Sequence, residues 1–469
     1  MSGAAATVGT MSMMSAVSRI AAWSSGFDGG AVPPAVRAVA RNCLIDTVGV
    51  ALAGSTAAVA GRARQVAVAT SALGACRLFG TPLKLAAPAA AAVNGTAAHA
   101  LDFDDNCYAG VVHGSAVIVP AAFAVAEMAD ASGNALVDAV IAGSEAEYAL
   151  GAAATMTLYE KGWWTTGVLG PVGAAAASAR LLGLDAQATG AALGLALAGT
   201  GGAKAAFGTD AKPLLAGRAA EAGVLAALLA AQGASGPLDA AEHPRGFAAL
   251  FNGGVFDVAA IAALGTGWRL LDPGIDVKRI PVCLSSHAAV DAVLDLVRAH
   301  EVPVGAIARI SCDVPPVVIA NLAYEKPRTR QEAQFSMNFA IAASLLKGDL
   351  GLAHLDDALV REPAVVALMA RISSFTGPRW DAAARLAAPE GAHVRIELDD
   401  GRVLEGFRAF PRGAAADPLR DEEIDAKFLA CAALAIRPAQ ADALLGRLRT
   451  IETQPSVRRM FDAPTDGTP

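Results

Sequence analysis

The chain has 469 residues, of which 54% are hydrophobic and 17% are charged, with 37 Lys and Arg against 44 Asp and Glu. That length exceeds the size at which a single hydrophobic core stops growing, so two domains are expected. The net charge of −7 disfavours nucleic acid as a partner.

Three features of the sequence indicate the cellular location of the protein: its apolar runs, its amino-terminal segment and its cysteines. Charge, Gly or Pro interrupts the alanine-rich runs before about 18 apolar residues accumulate, so no membrane-spanning segment and no membrane partner is predicted. Residues 1–10 lack the pattern of a secretory signal. The six cysteines form no C-x-x-C pair, which argues against zinc ribbons, iron–sulfur clusters and a disulfide framework. We therefore expect a cytoplasmic protein with reduced thiols.

Residues 33–231 show helical spacing. Apolar residues recur there every three or four positions, which is the period of an α-helix. Thr209 or Asp210 can cap a helix whose first turn suits Pro213. The segments predicted as helix are 36–53, 115–131, 136–153, 167–182 and 214–231.

The pattern changes after residue 271. Apolar and polar residues alternate in 306–314 and in 393–410, and Asp400-Gly401 marks a tight turn inside the second segment, so strands and a hairpin are predicted. Helical spacing returns in 421–434 and 439–451. The sequence therefore predicts a mainly α protein. Its parts are a large all-helical domain (1–271), a smaller α+β lid domain (272–405) and a return to the helical domain (406–469).

A polar island lies among these apolar segments between His99 and His113. It holds two of the seven histidines together with the carboxylates of Asp102, Asp104 and Asp105. Histidine is the side chain whose usual pKa lies nearest neutrality, and a carboxylate can orient it, so the island predicts a place where protons are moved. His113 also precedes a predicted helix start, where carboxylate ligands bind readily.

The same island has a structural interpretation. His99 and Asp102 are three positions apart and would share a face at a helix end, where they can form a pair. Asp104-Asp105-Asn106 fits a turn or a helix cap. Both interpretations stay open for His99, whereas His113 is the better candidate for an active site.

Two further islands centre on lysines. Lys212 lies at a predicted helix start, where an ammonium group is unfavourable unless an anion sits there or a lowered lysine pKa is needed. A solvated surface lysine is the alternative. Lys278 opens a second basic stretch that reaches Cys283 and His287 just before another helix. Cys283 and His287 are spaced as a nucleophilic pair on a helix, but no separate feature supports covalent catalysis.

Two aromatic residues complete the set of candidates. Tyr324 is one of four tyrosines and lies in a polar stretch after a predicted strand. Core packing with a satisfied hydroxyl explains it as well as a function does. Trp164, beside Trp163, is interpreted as an aromatic wall or a core contact rather than a catalytic element.

Taken together, the islands resemble the MmgE/PrpD family, which includes 2-methylcitrate dehydratase, cis-aconitate decarboxylase and iminodisuccinate epimerase. The likeness runs from about residue 18 to residue 451 and rests on ordered motifs rather than on one alone. The motifs are His99-Ala-Leu-Asp102-Phe-Asp-Asp105, His113-x-Ser-Ala-Val-x-x-Pro120, Gly208-Thr-x-x-Lys212-Pro-x-x-Ala-Gly217-Arg218 and Lys278-x-x-Pro281-x-x-x-x-x-His287.

The resemblance implies a helical domain with an α+β lid, a homodimer, an active site between the domains, and no metal or organic cofactor. The substrate it implies is a small di- or tricarboxylate. The catalytic residues expected from it and from the islands are Asp102, His113, Lys212, Lys278 and Tyr324. The substrate-binding residues expected are His99, Asp105, Asn106, Trp164, Cys283 and His287.

The chain departs from the family pattern in three places. Members similar to the decarboxylase and the dehydratase tend to have Thr where Asn106 stands, and often His where Trp164 stands. The decarboxylase has His where Cys283 stands, and losing that His disfavours decarboxylation of cis-aconitate. We therefore expect a substrate different from those of the best-known members.

The chemistry implied is proton transfer at a carbon next to a carboxylate. His113 is assigned as base or acid, Asp102 as a residue that orients a neighbour, and Lys212 and Lys278 as carboxylate ligands that stabilise the developing charge. Tyr324 or a lysine would protonate a leaving oxygen. Dehydration by a lyase similar to 2-methylcitrate dehydratase is the first expectation, epimerisation of an imino- or aminodisuccinate the second and decarboxylation the third. A polycarboxylate-binding homologue without activity is the alternative from another class.

Overall fold

The computed structural model describes residues 14–348 and 350–462. Residues 1–10, which lack the pattern of a secretory signal, lie outside these ranges, as do the last residues of the predicted C-terminal helical part. Helix predominates, and a small mixed sheet occupies the second half of the chain. The prediction of a mainly α fold is confirmed.

The helices of the first half follow the predicted segments closely, because runs of Ala, Leu and Val at helical spacing form continuous buried faces. Caps fix their starts: Ser132 and Asp185 each accept a hydrogen bond from a backbone N–H in the next turn. The helices are α1 (Ala16–Gly26), α2 (Pro34–Gly54), α3 (Ala58–Thr70), α4 (Ala87–His99), α5 (Ser115–Ala129), α6 (Gly133–Glu160), α7 (Thr165–Leu181), α8 (Ala186–Ala198), α9 (Ala211–Ala231), α10 (Phe247–Asn252) and α11 (Val258–Ala262).

Two local features break the helical pattern of this half. An antiparallel pair, β1 (Leu73–Arg77) and β2 (Lys84–Leu85), stands where the sequence predicted only helix and its connections. Thr155 adopts a non-helical φ of 58° inside α6. Because of that kink, the end of α6 is redirected, and it carries Met156 and Tyr159 to a cavity wall shared with the second half of the chain.

Helix α9 crosses α4 at very short distance. A Cβ on Gly217 would lie 2.2 Å from the carbonyl oxygen of Ala92, and a Cβ on Gly95 would lie 3.1 Å from the Cα of Gly217. Glycine is therefore needed at the crossing. The close approach brings the first turn of α9, with Lys212, to the end of α4.

Helix α9 also differs from the sequence-based expectation about membrane spans. By length and composition α9 is long and apolar enough to cross a membrane, whereas the sequence predicted no membrane-spanning segment. However, 50% of its most apolar window is buried inside the protein, and α9 packs against α4 and α7.

The second half builds a sheet of order β4-β3-β5-β6 from β3 (Ile307–Asp313), β4 (Ile372–Phe375), β5 (Ala392–Leu398) and β6 (Val403–Arg408). Strand β3 pairs with β4 in parallel and with β5 antiparallel, and β5 and β6 form the predicted hairpin. Its turn contains Gly401 at φ 85°, a conformation that glycine adopts without strain. Further helices are α12 (His287–Ala299), α13 (Pro316–Asn321), α14 (Arg330–Ala333), α15 (Met337–Lys347), α16 (Asp357–Val360), α17 (Pro363–Met369), α18 (Ala382–Ala387), α19 (Asp421–Ala432) and α20 (Pro438–Arg449).

Buried hydrophobic side chains of the described residues form two large clusters. One takes its members from Ala16 to Ile275 and again from Ile424 to Met460, so α19 and α20 pack with the first half of the chain. The other runs from Ile280 to Leu398 and fills the space around the sheet. The domain boundaries at residues 271 and 405 stay a prediction.

Candidate active site

Asp102 lies where the two halves of the chain meet. It follows the end of α4 and adopts a positive φ of 49°, a conformation that is uncommon for residues other than glycine. Its Oδ1 accepts a hydrogen bond from Nζ of Lys212. Nζ of Lys278 lies 2.9 Å from its Oδ2 and 2.7 Å from its backbone carbonyl oxygen. The three polar islands of the sequence therefore converge on one carboxylate.

All three members of this ion cluster are buried. Burial alone would raise the pKa of the Asp102 carboxyl, but the ammonium groups of Lys212 and Lys278 hold it well below its usual value. Burial would lower the pKa of Lys278, but the carboxylates of Asp102 and Asp104 act in the opposite direction, and the pKa of Lys278 is raised. The cluster is thus two cations around one anion, with the Asp104 carboxylate close enough to act on Lys278 as well.

Asp104 is the carboxylate that contacts both histidines. Its Oδ2 lies 2.8 Å from Nδ1 of His99 and 3.3 Å from Nδ1 of His113. Asp102 is farther from the His99 ring, with 3.8 Å between its Oδ1 and Nε2. The sequence assigned the orienting role to Asp102 and interpreted Asp104 as part of a turn or cap; in the structure Asp104 orients the rings.

The hydrogen bonds fix which ring nitrogen of His113 carries the proton. Nδ1 of His113 lies 2.8 Å from the backbone carbonyl oxygen of Asp105, which only accepts hydrogen bonds, so Nδ1 donates. In the neutral imidazole, Nε2 is then the nitrogen with a free lone pair. The backbone N–H of His113 donates to Oγ1 of Thr166 at 2.9 Å, which holds the residue in place just before α5. The imidazole is thereby set up as a base.

His99 is a supporting residue. Its ring lies between those of His113 and Trp164, with ring centroids 4.7 and 5.2 Å away and both pairs of rings tilted. Burial lowers its pKa to about 4, although the nearby Asp104 carboxylate acts in the opposite direction. His99 is therefore neutral at pH 7, and it packs behind His113.

A metal ion was not expected, yet one group of side chains has suitable spacing. Ligand atoms of His99, Asp104 and His113 lie within 4.8 Å of one another. The Nδ1 atoms of both rings are already within hydrogen-bond distance of oxygen acceptors. A metal held through the Nδ1 atoms would have to displace these hydrogen bonds, and the observed contacts orient the two rings.

Two small cavities, of about 20 and 30 Å³, lie on either side of Lys212. The larger brings together five of the candidates predicted from the sequence, from both halves of the chain: Asn106, His113, Trp164, Lys212 and Cys283. The smaller adds His99 and Asp102.

The Lys212 ammonium has an aromatic as well as an ionic environment. It lies 4.9 Å from the centroid of the Phe335 ring, 5.0 Å from Phe207 and 5.7 Å from Trp164. Rings at these distances attract a cation through their faces and keep water away from it. Trp164 is thus part of the wall, as expected.

Asp105 lies behind the site. Its carboxyl is buried and beside Asp46, and these surroundings raise its pKa to about 7. Ser115 and Cys43 lie beside it, and it is not among the residues lining either small cavity. Its contribution to the site is the backbone carbonyl that anchors His113.

Cys283 and His287 do not form a nucleophilic pair. The intervening residues Leu284–Ser286 form a 3-10 turn, and the helix begins only at His287. Nε2 of His287 lies 3.1 Å from the carbonyl oxygen of Val282, away from the small cavities. Burial raises the pKa of the Cys283 thiol to about 11, which keeps it protonated. Cys283 lines the cavity, and His287 does not.

Tyr324 packs against Gly208, a residue that lines the smaller cavity. Its hydroxyl lies against Gly208, where an added Cβ would approach it to 2.6 Å. It lines neither small cavity. The structure therefore places Tyr324 behind the loop that leads to Lys212.

A second hydrogen-bonded group in the cavity wall escaped the sequence analysis. Glu390 accepts hydrogen bonds from the hydroxyls of Tyr108, at 2.7 Å, and Ser285. Asn321 accepts one from the hydroxyl of Tyr159 at 2.7 Å and lies beside Ser285. Each of these residues is a single polar position in a different segment, so no local pattern marked them.

The comparisons with known proteins cover most of the chain. Residues 18–258 match the MmgE/PrpD N-terminal domain and residues 280–448 match the MmgE/PrpD C-terminal domain. The cis-aconitate decarboxylase of Homo sapiens is 28% identical over 425 residues, which are 88% of this chain and 86% of that protein.

Two fungal proteins give similar figures. The cis-aconitate decarboxylase-like protein oryM of Aspergillus oryzae is 26% identical over 94% of this chain and 95% of its own length. The cis-aconitate decarboxylase of Aspergillus terreus is 26% identical over 88% of each chain. With both domain models matched in order and the motif residues gathered around Asp102, the chain belongs to the MmgE/PrpD family.

Proposed function

We propose that the protein is a lyase that acts on a small tricarboxylate and begins by moving a proton at a carbon next to a carboxylate. The observation that carries this proposal is the position of His113, with Nδ1 held by a carbonyl oxygen, in the same cavity wall as Lys212. A lone-pair nitrogen beside an ammonium group is the arrangement needed to remove a proton and to stabilise the resulting negative charge.

The two lysines have different tasks in this proposal. Lys212 lines both small cavities, so its ammonium binds a substrate carboxylate directly. Lys278 is fully buried, and its ammonium donates two hydrogen bonds to Asp102. It acts through Asp102, which in turn holds Lys212, and is therefore a positioning residue rather than a catalytic one.

Proton removal next to a carboxylate is difficult because the carbanion adds charge to an anion. The charge is spread onto the carboxylate oxygens, and the Lys212 ammonium offsets it in a site closed off by Trp164, Phe207 and Phe335. A positioned base in such a site contributes about 10²- to 10⁴-fold in rate.

Dehydration and decarboxylation are the two reactions that specific observations favour. The relatives from Homo sapiens and Aspergillus terreus are cis-aconitate decarboxylases, which favours decarboxylation. Cys283, at a cavity position where the decarboxylase has His, is a protonated thiol at neutral pH, and it cannot take over proton transfer from an imidazole. On this ground dehydration is the first proposal and decarboxylation the second; a homodimer in the cytoplasm remains part of the prediction.

Product analysis tests the proposal. Purified protein is incubated with citrate, 2-methylcitrate, cis-aconitate and iminodisuccinate, and the mixtures are followed by NMR. A new alkene from a hydroxy acid demonstrates dehydration, and loss of carbon dioxide demonstrates decarboxylation. Racemisation of iminodisuccinate alone would replace the lyase by an epimerase. No change in any substrate, with binding retained, would contradict enzymatic function.

A further inference from the structure

Glu390 is a buried carboxylate in the wall of the cavity that also contains His113 and Lys212. It lies between α18 and β5. Its Oε2 accepts a hydrogen bond from the hydroxyl of Tyr108 at 2.7 Å, and its Oε1 accepts one from the hydroxyl of Ser285. Among the described residues, Glu390 belongs to no ion pair. A buried carboxylate without a cation is tolerated only where hydrogen-bond donors face it.

The side-chain donors around Glu390 are used inside the cavity wall. Besides the hydroxyls of Tyr108 and Ser285, the hydroxyl of Tyr159 donates to Oδ1 of Asn321 at 2.7 Å. Nδ2 of Asn321 donates to Oγ of Ser285 at 3.0 Å and lies 3.5 Å from Oε1 of Glu390. A hydroxyl carries one proton and an amide carries two. These five side chains therefore offer lone pairs, but no unused proton, to a group in the cavity.

The ammonium of Lys212 gives the same cavity a charge of the opposite sign. Both charges act on the Cys283 thiol, which lies in the wall with them. Burial and the carboxylates of Asp102 and Glu390 raise the pKa of this thiol to about 11, although the ammonium groups of the two lysines act in the opposite direction. A ligand in this cavity thus meets both a cation and an anion.

The carboxylate of Glu390 restricts which ligand group can lie beside it. A second carboxylate would be repelled, and an alkene carbon would leave the lone pairs of the wall without a donor. A hydroxyl would donate a hydrogen bond, and such a bond to a charged group is worth about 10- to 100-fold in affinity. The cavity volume of about 30 Å³ has room for a group of this size, because a water molecule needs less.

We propose that Glu390 is a specificity-determining residue, whose carboxylate accepts a hydrogen bond from a hydroxyl group of the substrate and disfavours a carboxylate at that place. The inference rests on the function proposed above. It adds the residue that distinguishes a hydroxy acid from the alkene formed by its dehydration. Tyr108, Ser285 and Asn321 act through Glu390 and are positioning residues.

Two tricarboxylates that differ by one hydroxyl group test the inference without requiring turnover. They are citrate and tricarballylate (propane-1,2,3-tricarboxylate). Calorimetric titration of the full chain measures the dissociation constant of each. We expect citrate to bind at least about tenfold more tightly than tricarballylate. Equal dissociation constants, or tighter binding of tricarballylate, would overturn the inference even if the protein proves to be a lyase. A preference for citrate would support it even if no substrate is turned over.

Two glutamates provide a matched pair of variants. Glu390 and Glu160 both line a neighbouring cavity of about 620 Å³, but only Glu390 also lines the cavity of Lys212. Glu160 is exposed. Glu390→Gln replaces the carboxylate by a weaker, uncharged acceptor and is expected to bring the two dissociation constants within about threefold of each other.

Glu160→Gln removes the same charge and is expected to keep the wild-type ratio of the two dissociation constants. A wild-type ratio in Glu390→Gln would contradict the proposal, as would an equal fall of the ratio in both variants. If Glu390→Gln does not fold, the wild-type titration decides.

Discussion

Lys278 is bound to Asp102 by two contacts of one ammonium group, 2.9 Å to Oδ2 and 2.7 Å to the backbone carbonyl oxygen. Lys278 stands two positions before Ile280, the first residue of the hydrophobic cluster around the sheet, whereas Asp102 belongs to the first half of the chain. This contact fixes the backbone that carries Asp102 and, through its other carboxylate oxygen, the ammonium of Lys212. One carboxylate thus links the two halves and sets the charge of the site.

Replacing the Asp102 carboxylate tests how much it contributes to the stability of the folded protein. Asp102→Asn leaves two buried ammonium groups without their counter-ion, and we expect it to lower the free energy of unfolding by about 3–5 kcal/mol. Urea denaturation measures the loss. The control is Asp210→Asn, which breaks an ion pair whose side chains are 36% and 66% exposed and should lower stability by less than about 1 kcal/mol. Equal losses for both variants would contradict the linking role of Asp102.

Cys283 provides a test of the reaction type. Because burial raises the pKa of its thiol to about 11, the thiol is neither a nucleophile nor a base at neutral pH. Cys283→Ala is expected to retain kcat within about threefold, in keeping with a wall position rather than a covalent role. Steady-state kinetics with the active tricarboxylate decide the matter. A hundredfold loss of kcat in Cys283→Ala, or rapid alkylation of Cys283 at pH 8, would instead support a covalent role for this thiol.

Glu147 predicts a distinct pH dependence of stability. Burial, with the Asp105 carboxylate beside it, raises its pKa from 4.5 to about 8, and neither of its carboxylate oxygens has a hydrogen-bond partner among the described residues. The folded protein therefore keeps a proton that the unfolded chain releases above pH 4.5. Its stabilising effect is complete below pH 4.5 and is lost as the pH rises through 8.

The variant Glu147→Gln removes that titration. Between pH 5 and pH 9 the wild type should lose roughly 4 kcal/mol of unfolding free energy more than the variant, measured by urea denaturation at each pH. Glu405→Gln changes a glutamate whose side chain is 68% exposed and should follow the wild type. Parallel curves for wild type and Glu147→Gln would show that Glu147 is ionised in the folded protein.

Much of the fold is readable from local pattern. Helices of Ala, Leu and Val at helical spacing end within a few residues of the predicted limits, as α7 (Thr165–Leu181) shows, and the turn at Gly401 closes the predicted hairpin. These elements depend on neighbours in sequence. The strand pair β1 and β2 was missed because residues 73–85 carry no clear alternation.

The site was readable only in part. Asp102, Lys212 and Lys278 were assigned to one pocket through the family resemblance, since no spacing rule relates residues that lie 66 to 176 positions apart. The roles of Asp104 and Glu390 depend on contacts with His113 and Tyr108 that form only after folding. Conversely, the His287 side chain lies near the carbonyl oxygen of Val282 and lines neither small cavity. The catalytic role of Tyr324, whose hydroxyl packs against Gly208, stays a prediction.

The most direct test of the account is hydrogen exchange at the substrate carbon. The wild type and His113→Gln are incubated in deuterated water with the active tricarboxylate, and deuterium at the carbon next to the carboxylate is followed by NMR. His300→Gln, at an exposed position after α12, is the control. The account predicts deuterium uptake in the wild type and the control, and a loss of about 10²-fold or more in His113→Gln with folding unchanged. Undiminished exchange in His113→Gln would contradict it.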